Sequence, residues 1–384
     1  MYSVYQHWDP LKVCVVGRSY PPEFYSWIQV PHIRSLFEKI AIETEEDYLA
    51  LEKKLQEFGV HVLRPTITDL DICVGGKYVP PPMTPRDHNV MIGNSFFENR
   101  RLHFDSKNES VFTQYYLDVK KSSWPDCKTL EEFYNLPNWI QKECTEVYDF
   151  DKIIRYYSWY DHIDQHIIQQ GNTIQQSRFP KNINGAMISR IGQDLFFGTS
   201  DYTQDQKSLK TYIDQEFIHT RNHVMNTGGH SDGTYCLIAP GLIISTPDIP
   251  TYKHKFPDWE VFYLKEPDLG GIGLFSQLKR KNYGKWWIPG FEQDQSVIDT
   301  VETWLGHWTG YVEETVFDVN MLIIDPKNVL VVNYNKALFE CLERYGITAH
   351  VVPFRHRFFW DGGLHCVTSD LHREGQMKNY FLDQ

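Results

Sequence analysis

Three short segments of the 384-residue chain carry side chains able to do covalent chemistry. Asp361-Gly362-Gly363-Leu364-His365-Cys366-Val367-Thr368 places Cys366 in a loop whose paired glycines let backbone approach a ligand closely. A thiol in such a setting can serve as a nucleophile. Gly228-Gly229-His230-Ser231-Asp232-Gly233 sets His230 and Asp232 two residues apart, on one face of an extended segment. The third segment, Pro80-Pro81-Pro82-Met83-Thr84-Pro85, runs into Arg86-Asp87. A Cys, a His and two Asp around one pocket suit attack on a guanidinium carbon. Asp87 and Asp232 would hold the planar cation through paired N–H to oxygen bonds. At about 4 Å and an effective dielectric of about 20, cation and thiolate attract by about 4 kcal/mol. That is roughly three pKa units, so the bound substrate would itself ionise the thiol. His230 would protonate the leaving amine and deprotonate the incoming one. Each segment also has a plainer reading: a capped turn around His230, a solvated turn at Arg86-Asp87, and a small buried hydrophobe at Cys366. His230-x-Asp232 with His365 downstream also supplies the ligand types of a two-His, one-carboxylate iron site, but that leaves Asp87 and Cys366 without roles.

These residues need elements that bring them together, and the chain repeats one. Thr44 can cap a helix with Tyr48, Leu51, Leu55 and Phe58 on one stripe; Gly59 stops it and Val60 to Leu63 reads as a strand. The same helix, glycine, strand order returns at Leu338, Leu342, Gly346 and Ile347 to Val352. Ile163, Ile167, Gly171 and Ile174 form a third copy, and Leu209 to Phe217 before His223 to Met225 a fourth. Hairpins accompany them: Val90 to Phe97 around Gly93-Asn94, Met187 to Phe197 around Gly192-Gln193, Cys236 to Ser245 around Pro240-Gly241, and Met321 to Val332 around Asp325-Pro326-Lys327-Asn328. With Val13 to Val16 as the remnant of a fifth, the chain holds about five units of strand, strand, helix, strand. Such units bury every strand by packing around a common axis with helices outside, as one propeller-like α/β domain over residues 1–384. Arg86-Asp87 and His230 to Asp232 each stand immediately before a hairpin, so equivalent units would deliver both to one end of that axis. An insertion over about 99–157, rich in Tyr, Trp and charge, has the length of a lid or partner surface.

Composition narrows the function classes. Thirty-eight Lys and Arg against 50 Asp and Glu give a formal charge of −12, against a nucleic-acid partner, which needs clustered cations. No apolar run reaches the roughly 18 residues of a membrane helix, so no membrane partner is expected. Met1 to Trp8 lacks a basic stretch before an apolar core. The seven cysteines (Cys14, Cys73, Cys127, Cys144, Cys236, Cys341 and Cys366) include no Cys-x-x-Cys pair, which favours reduced thiols in a cytoplasmic location over disulfides or a thiolate zinc site. Gly270-Gly271-Ile272-Gly273 lacks the third glycine and acidic follow-up of a dinucleotide fingerprint and reads as a loop.

Taken together, the motifs resemble the glycine amidinotransferase branch of the guanidino-modifying, or pentein, superfamily. The matching stretches are Trp8 to Leu11 with Val16-Gly17-Arg18, Met83 to Asp87 with Gly93-Asn94, Gly192 to Phe196, His230 to Asp232 with Pro240-Gly241, Tyr345 to Thr348, and Gly362 to Thr368. The resemblance implies a five-bladed α/β propeller and ping-pong transfer of the amidino group of L-arginine to an amine, glycine in the namesake enzyme, through an amidino-cysteine. Ornithine is the first product, and no metal or organic cofactor is implied. The family's Cys maps onto Cys366, its His onto His230, its guanidinium-binding carboxylates onto Asp87 and Asp232, and its His-orienting Asp onto Asn184. Arg86 and Asn320 are expected at the substrate, Asn320 with a turn cap as its other reading. Ile249 stands where the family has an Arg for the donor's carboxylate, and Glu313-Glu314 where it has two serines. The same resemblance admits a guanidino hydrolase or a silent binding relative, and a homodimer by base rate.

Overall fold

The computed structural model describes residues 1–98 except 72, 75 and 76, together with 120–126, 132, 135–147, 158–176, 184–199, 203–264, 288, 290–291, 294–305 and 318–381. Most of the expected insertion at 99–157, Gly270 to Gly273 and Glu313-Glu314 lie outside the described residues.

Five three-stranded sheets share one connectivity. In the second blade Asn89–Ile92 pairs antiparallel with Ser95–Glu98, which pairs parallel with Ile174–Gln176. The third repeats this with Ile188–Ile191, Asp194–Thr199 and Arg221–Asn226. Tyr235–Ala239, Leu242–Ser245 and Glu260–Tyr263 form the fourth, and Leu322–Asp325, Asn328–Val331 and Thr348–Val351 the fifth. The first blade joins the two ends of the chain: Leu11–Val16 pairs antiparallel with Thr368–Arg373 and parallel with His61–Leu63. A helix precedes the third strand of each blade, from the 27-residue Pro31–Glu57 to the single turn Tyr252–Lys255. This is the five-bladed α/β propeller that the repeats imply.

A small hairpin, Cys73–Val74 with Lys77–Tyr78, stands apart from the blades. First strands lie innermost: Ile188, Ser189, Tyr235, Cys236, Leu237, Ile323 and Arg373, with His7, Met321 and His365, line a cavity of about 20 Å³ between them.

Two elements differ from their expected form. The first helix starts at Pro31, whose fixed φ suits a first helical position, rather than at Thr44. Thr44 is buried mid-helix, where its Oγ1 accepts from Trp360 Nε1 at 2.9 Å. The expected last strand is followed by another, Thr368–Arg373, which closes the ring immediately after Cys366. Gly59 and Gly346 stop their helices in the left-handed region, at φ of 75° and 71°.

Candidate active site

Local structure explains how each side chain reaches the same end of the propeller. Pro85 begins a one-turn helix, Pro85–His88, that sets Asp87 directly before the second blade. Asn184 caps the short 3-10 helix Gly185–Met187 ahead of the third blade, its Oδ1 accepting from the Ala186 N–H at 3.1 Å. His230 and Asp232 precede the fourth blade, Asn320 precedes the fifth, and Cys366 precedes the closing strand of the first. The blades therefore contribute residues from equivalent positions. The Cys366 loop and the Asp87 turn also touch, because the carbonyl of His365 accepts from Arg86 Nε at 3.3 Å.

Cys366 is 2% exposed and closely held. Asn320 grips it from both ends: its Nδ2 donates to Sγ at 2.9 Å, and its Oδ1 accepts from the N–H groups of Cys366 and His365 at 3.0 and 2.9 Å. Nδ2 also donates to the carbonyl of Asp232 at 3.1 Å. The thiol donates to Asp232 Oδ2 at 3.4 Å, and the same oxygen accepts from His365 Nδ1 at 2.7 Å. Burial opposes ionisation of Asp232, but the hydrogen bond from His365, with the charge of Arg86, holds its carboxyl below the usual range. Burial pushes the thiols of two other cysteines, Cys14 and Cys236, up to about 12.

A second group adjoins the first. His230 Nδ1 lies 3.8 Å from Asp87 Oδ1, and Asn184 Nδ2 is 3.0 Å from His230 Nε2. Oδ1 of Asp87 and Oδ1 of Asp232 are buried and have no hydrogen-bond partner among the described residues. Buried acceptors are satisfied in nearly all native structures, so these two orphaned carboxylate oxygens, one of them on the carboxylate that meets the Cys366 thiol, mark a place for a donor-rich cation. A guanidinium, planar and with several N–H donors, fits that requirement.

Arg86, the neighbour of Asp87, is fully buried and turned to the interior. Its Nη1 donates to Asp370 Oδ1 at 2.7 Å and its Nε to the Thr368 carbonyl at 3.0 Å. Asp370 also accepts from Arg190 Nη2, at 2.8 and 2.9 Å, and from Arg373 Nε at 2.7 Å. This geometry gives Arg86 a bracing position between the two site loops. Ile249 is buried in the apolar core of the fourth blade. His365, weighed above as an iron ligand, spends Nδ1 on Asp232. Sequence adjacency to Cys366 does not reveal which carboxylate the ring meets.

No family model matches the chain. It is 24% identical over 417 residues to the mitochondrial glycine amidinotransferase of Xenopus laevis, covering 98% of this chain and 84% of that protein. With inosamine-phosphate amidinotransferase 1 of Streptomyces glaucescens it shares 22% identity over 407 residues, 98% of each chain. Among solved structures, the inosamine-phosphate amidinotransferase StrB1 of Streptomyces griseus superposes with a TM-score of 0.58 at 17% identity, covering 99% of both chains. SxtG, an amidinotransferase from Microseira wollei in the saxitoxin biosynthetic pathway, gives 0.59 at 15% identity, again with 99% of both covered.

Proposed function

We propose that this chain, an enzyme that belongs to the amidinotransferase branch of the guanidino-modifying pentein superfamily, moves the amidino group of L-arginine to an amine acceptor, glycine by default. The observation that carries the reading is the pair of orphaned oxygens on Asp87 and Asp232, with the Cys366 thiol in contact with the Asp232 carboxylate.

In this mechanism the guanidinium binds to both carboxylates, and its charge favours loss of the thiol proton to His230. The Cys366 thiolate attacks the guanidinium carbon, forming a sulfur–carbon bond. Breakage of the bond to the donor's side-chain nitrogen follows, and His230 returns the proton to that nitrogen, so ornithine leaves as the neutral amine. The acceptor amine then attacks the amidino-cysteine and gives its proton to His230, and the carbon–sulfur bond breaks. Asn320 Nδ2 supports the sulfur's negative charge at both ends of the cycle, and Asn184 orients the imidazole. The family's Arg is replaced by buried Ile249, so the donor's far end must be held by other groups. A reducing cytosol suits thiols such as Cys14, Cys236 and Cys341. Among the described residues no helix is long and apolar enough to cross a membrane.

Intact-mass measurement after mixing with arginine tests the reading. A covalent amidino adduct should form and vanish on adding a productive amine, with ornithine and a guanidino product released. Cys366→Ala should abolish all three. Citrulline without any acceptor would assign hydrolysis instead, and no adduct with arginine would remove arginine as donor.

A further inference from the structure

His365, next to the nucleophile, is fixed from three directions. Its N–H donates to Asn320 Oδ1 at 2.9 Å, its carbonyl accepts from Arg86 Nε at 3.3 Å, and its ring Nδ1 lies 2.7 Å from Asp232 Oδ2. That oxygen also accepts from Cys366 Sγ at 3.4 Å, while Oδ1 of the same carboxylate is buried with no partner among the described residues. We propose that His365 is a positioning residue for guanidinium capture: its Nδ1–H pins one oxygen of Asp232, so that the carboxylate keeps a single rotation and reserves its other oxygen for the substrate cation. The inference rests on the amidino-transfer reading and adds the device that aims one of its two carboxylates.

The anchor has to be a donor without a full positive charge. An imidazolium at 2.7 Å would spend the charge of Asp232 before substrate arrived. Three buried guanidiniums behind the ring, Arg86, Arg190 and Arg373, share the one carboxylate of Asp370, which leaves an excess of positive charge in the core. Burial first, and then the charge of Arg86, lower the proton affinity of His365 despite the Asp232 contact. The ring is thus a neutral donor, tied to an anionic acceptor by a charge-assisted hydrogen bond. Its other neighbour across the axis, His7, has a ring centroid 5.9 Å away. Burial and the charge of Arg190 hold His7 neutral as well, so no imidazolium reaches Asp232 from that side.

The test compares wild type, His365→Leu and His365→Asn, reading the rate of adduct formation on Cys366 against arginine concentration. An Asn side chain can return an N–H donor near the place of Nδ1, whereas Leu returns none. His365→Leu should raise the half-saturating arginine concentration by about tenfold, the size of one charge-assisted hydrogen bond. Its limiting rate should fall far less, and His365→Asn should stay close to wild type. Equal half-saturation in Leu and wild type would overturn the inference while leaving amidino transfer intact, and so would an Asn variant as weak as Leu. No adduct in wild type would overturn the transfer reading and this inference with it. If the Leu variant does not fold, ¹⁵N-histidine spectra of the wild type, assigned through His365→Asn, decide instead. A neutral Nδ1–H tautomer supports the anchor, and an imidazolium or Nε2–H tautomer overturns it.

Discussion

Asn184 bears on how readily His230 takes up a second proton. Its Oδ1 is committed to the Ala186 N–H at 3.1 Å, which turns the Nδ2 donor toward His230 Nε2 at 3.0 Å. An amide N–H facing that nitrogen opposes a proton there, so Asn184 lowers the ring's affinity for a second proton. A carboxylate at the same position would instead accept from Nε2–H and stabilise the imidazolium. Asn184→Asp should therefore move the limb of the kcat/KM profile that reports His230 deprotonation to higher pH, by about one unit or more. The measurement is kcat/KM for arginine from pH 5 to 10; superimposable profiles would show that Asn184 serves only the 3-10 helix. The residues that carry the proposed chemistry, Cys366, His230, Asp87 and Asp232, could be picked from sequence because glycines or prolines flank them and they precede hairpins. His365 and Arg86 could not be placed in the same way. Their partners, Asp232 and Asp370, are 133 and 284 residues away in sequence, and no local pattern records such contacts.

Helix and strand ends determine how tightly the site closes. Gly363 lies against Asn320 so closely that a Cβ there would stand 2.8 Å from both the Cβ and the Oδ1 of Asn320. Any side chain at this position must displace the amide that grips Cys366 and His365. Gly363→Ala should lower kcat about tenfold or more, because overpacking of this size costs about 1–3 kcal/mol and the strain falls on the amide that supports Cys366, the proposed nucleophile. Turnover and thermal midpoint measured together check this; a loss of stability with unchanged kcat would place the strain elsewhere. The hairpins of the second to fifth blades were legible because each joins two apolar runs across a turn-forming sequence. Thr368–Arg373 was not, because Thr368, Ser369, Asp370 and Arg373 are polar and yet buried, so the strand shows neither alternation nor an apolar run. The true start of the first helix is hidden for a related reason: Thr44 looks like a cap, but its hydroxyl accepts from Trp360 Nε1 in the interior.

Closure of the ring gathers buried charge around one carboxylate. Asp370 sits on the strand that joins the chain's two ends, and it binds Arg373 on the same strand, Arg86 ahead of the second blade and Arg190 in the third. Arg190 also donates to the Met91 carbonyl in the second blade at 2.6 Å, and Arg373 to the Asp9 carbonyl at 2.8 Å. One carboxylate thus links three blades and both termini directly beneath the Cys366 loop. Burial alone would raise the pKa of Asp370, yet Arg190, Arg86 and Arg373 hold it well below the usual carboxylate range. Asp370→Asn leaves three buried guanidiniums without a counter-charge and should cost about 3–5 kcal/mol at neutral pH. The sign of its pH dependence follows from linkage. A carboxylate with a depressed folded-state pKa contributes its full stability above the unfolded value of about 3.9. That contribution is lost as pH falls toward the depressed folded value. The stability gap between wild type and Asp370→Asn should accordingly be widest near neutrality and narrow as pH drops below about 4. Urea unfolding of both proteins across that range measures it, and a gap that stays constant into acid would mean that Asp370 holds the ring by shape rather than by charge.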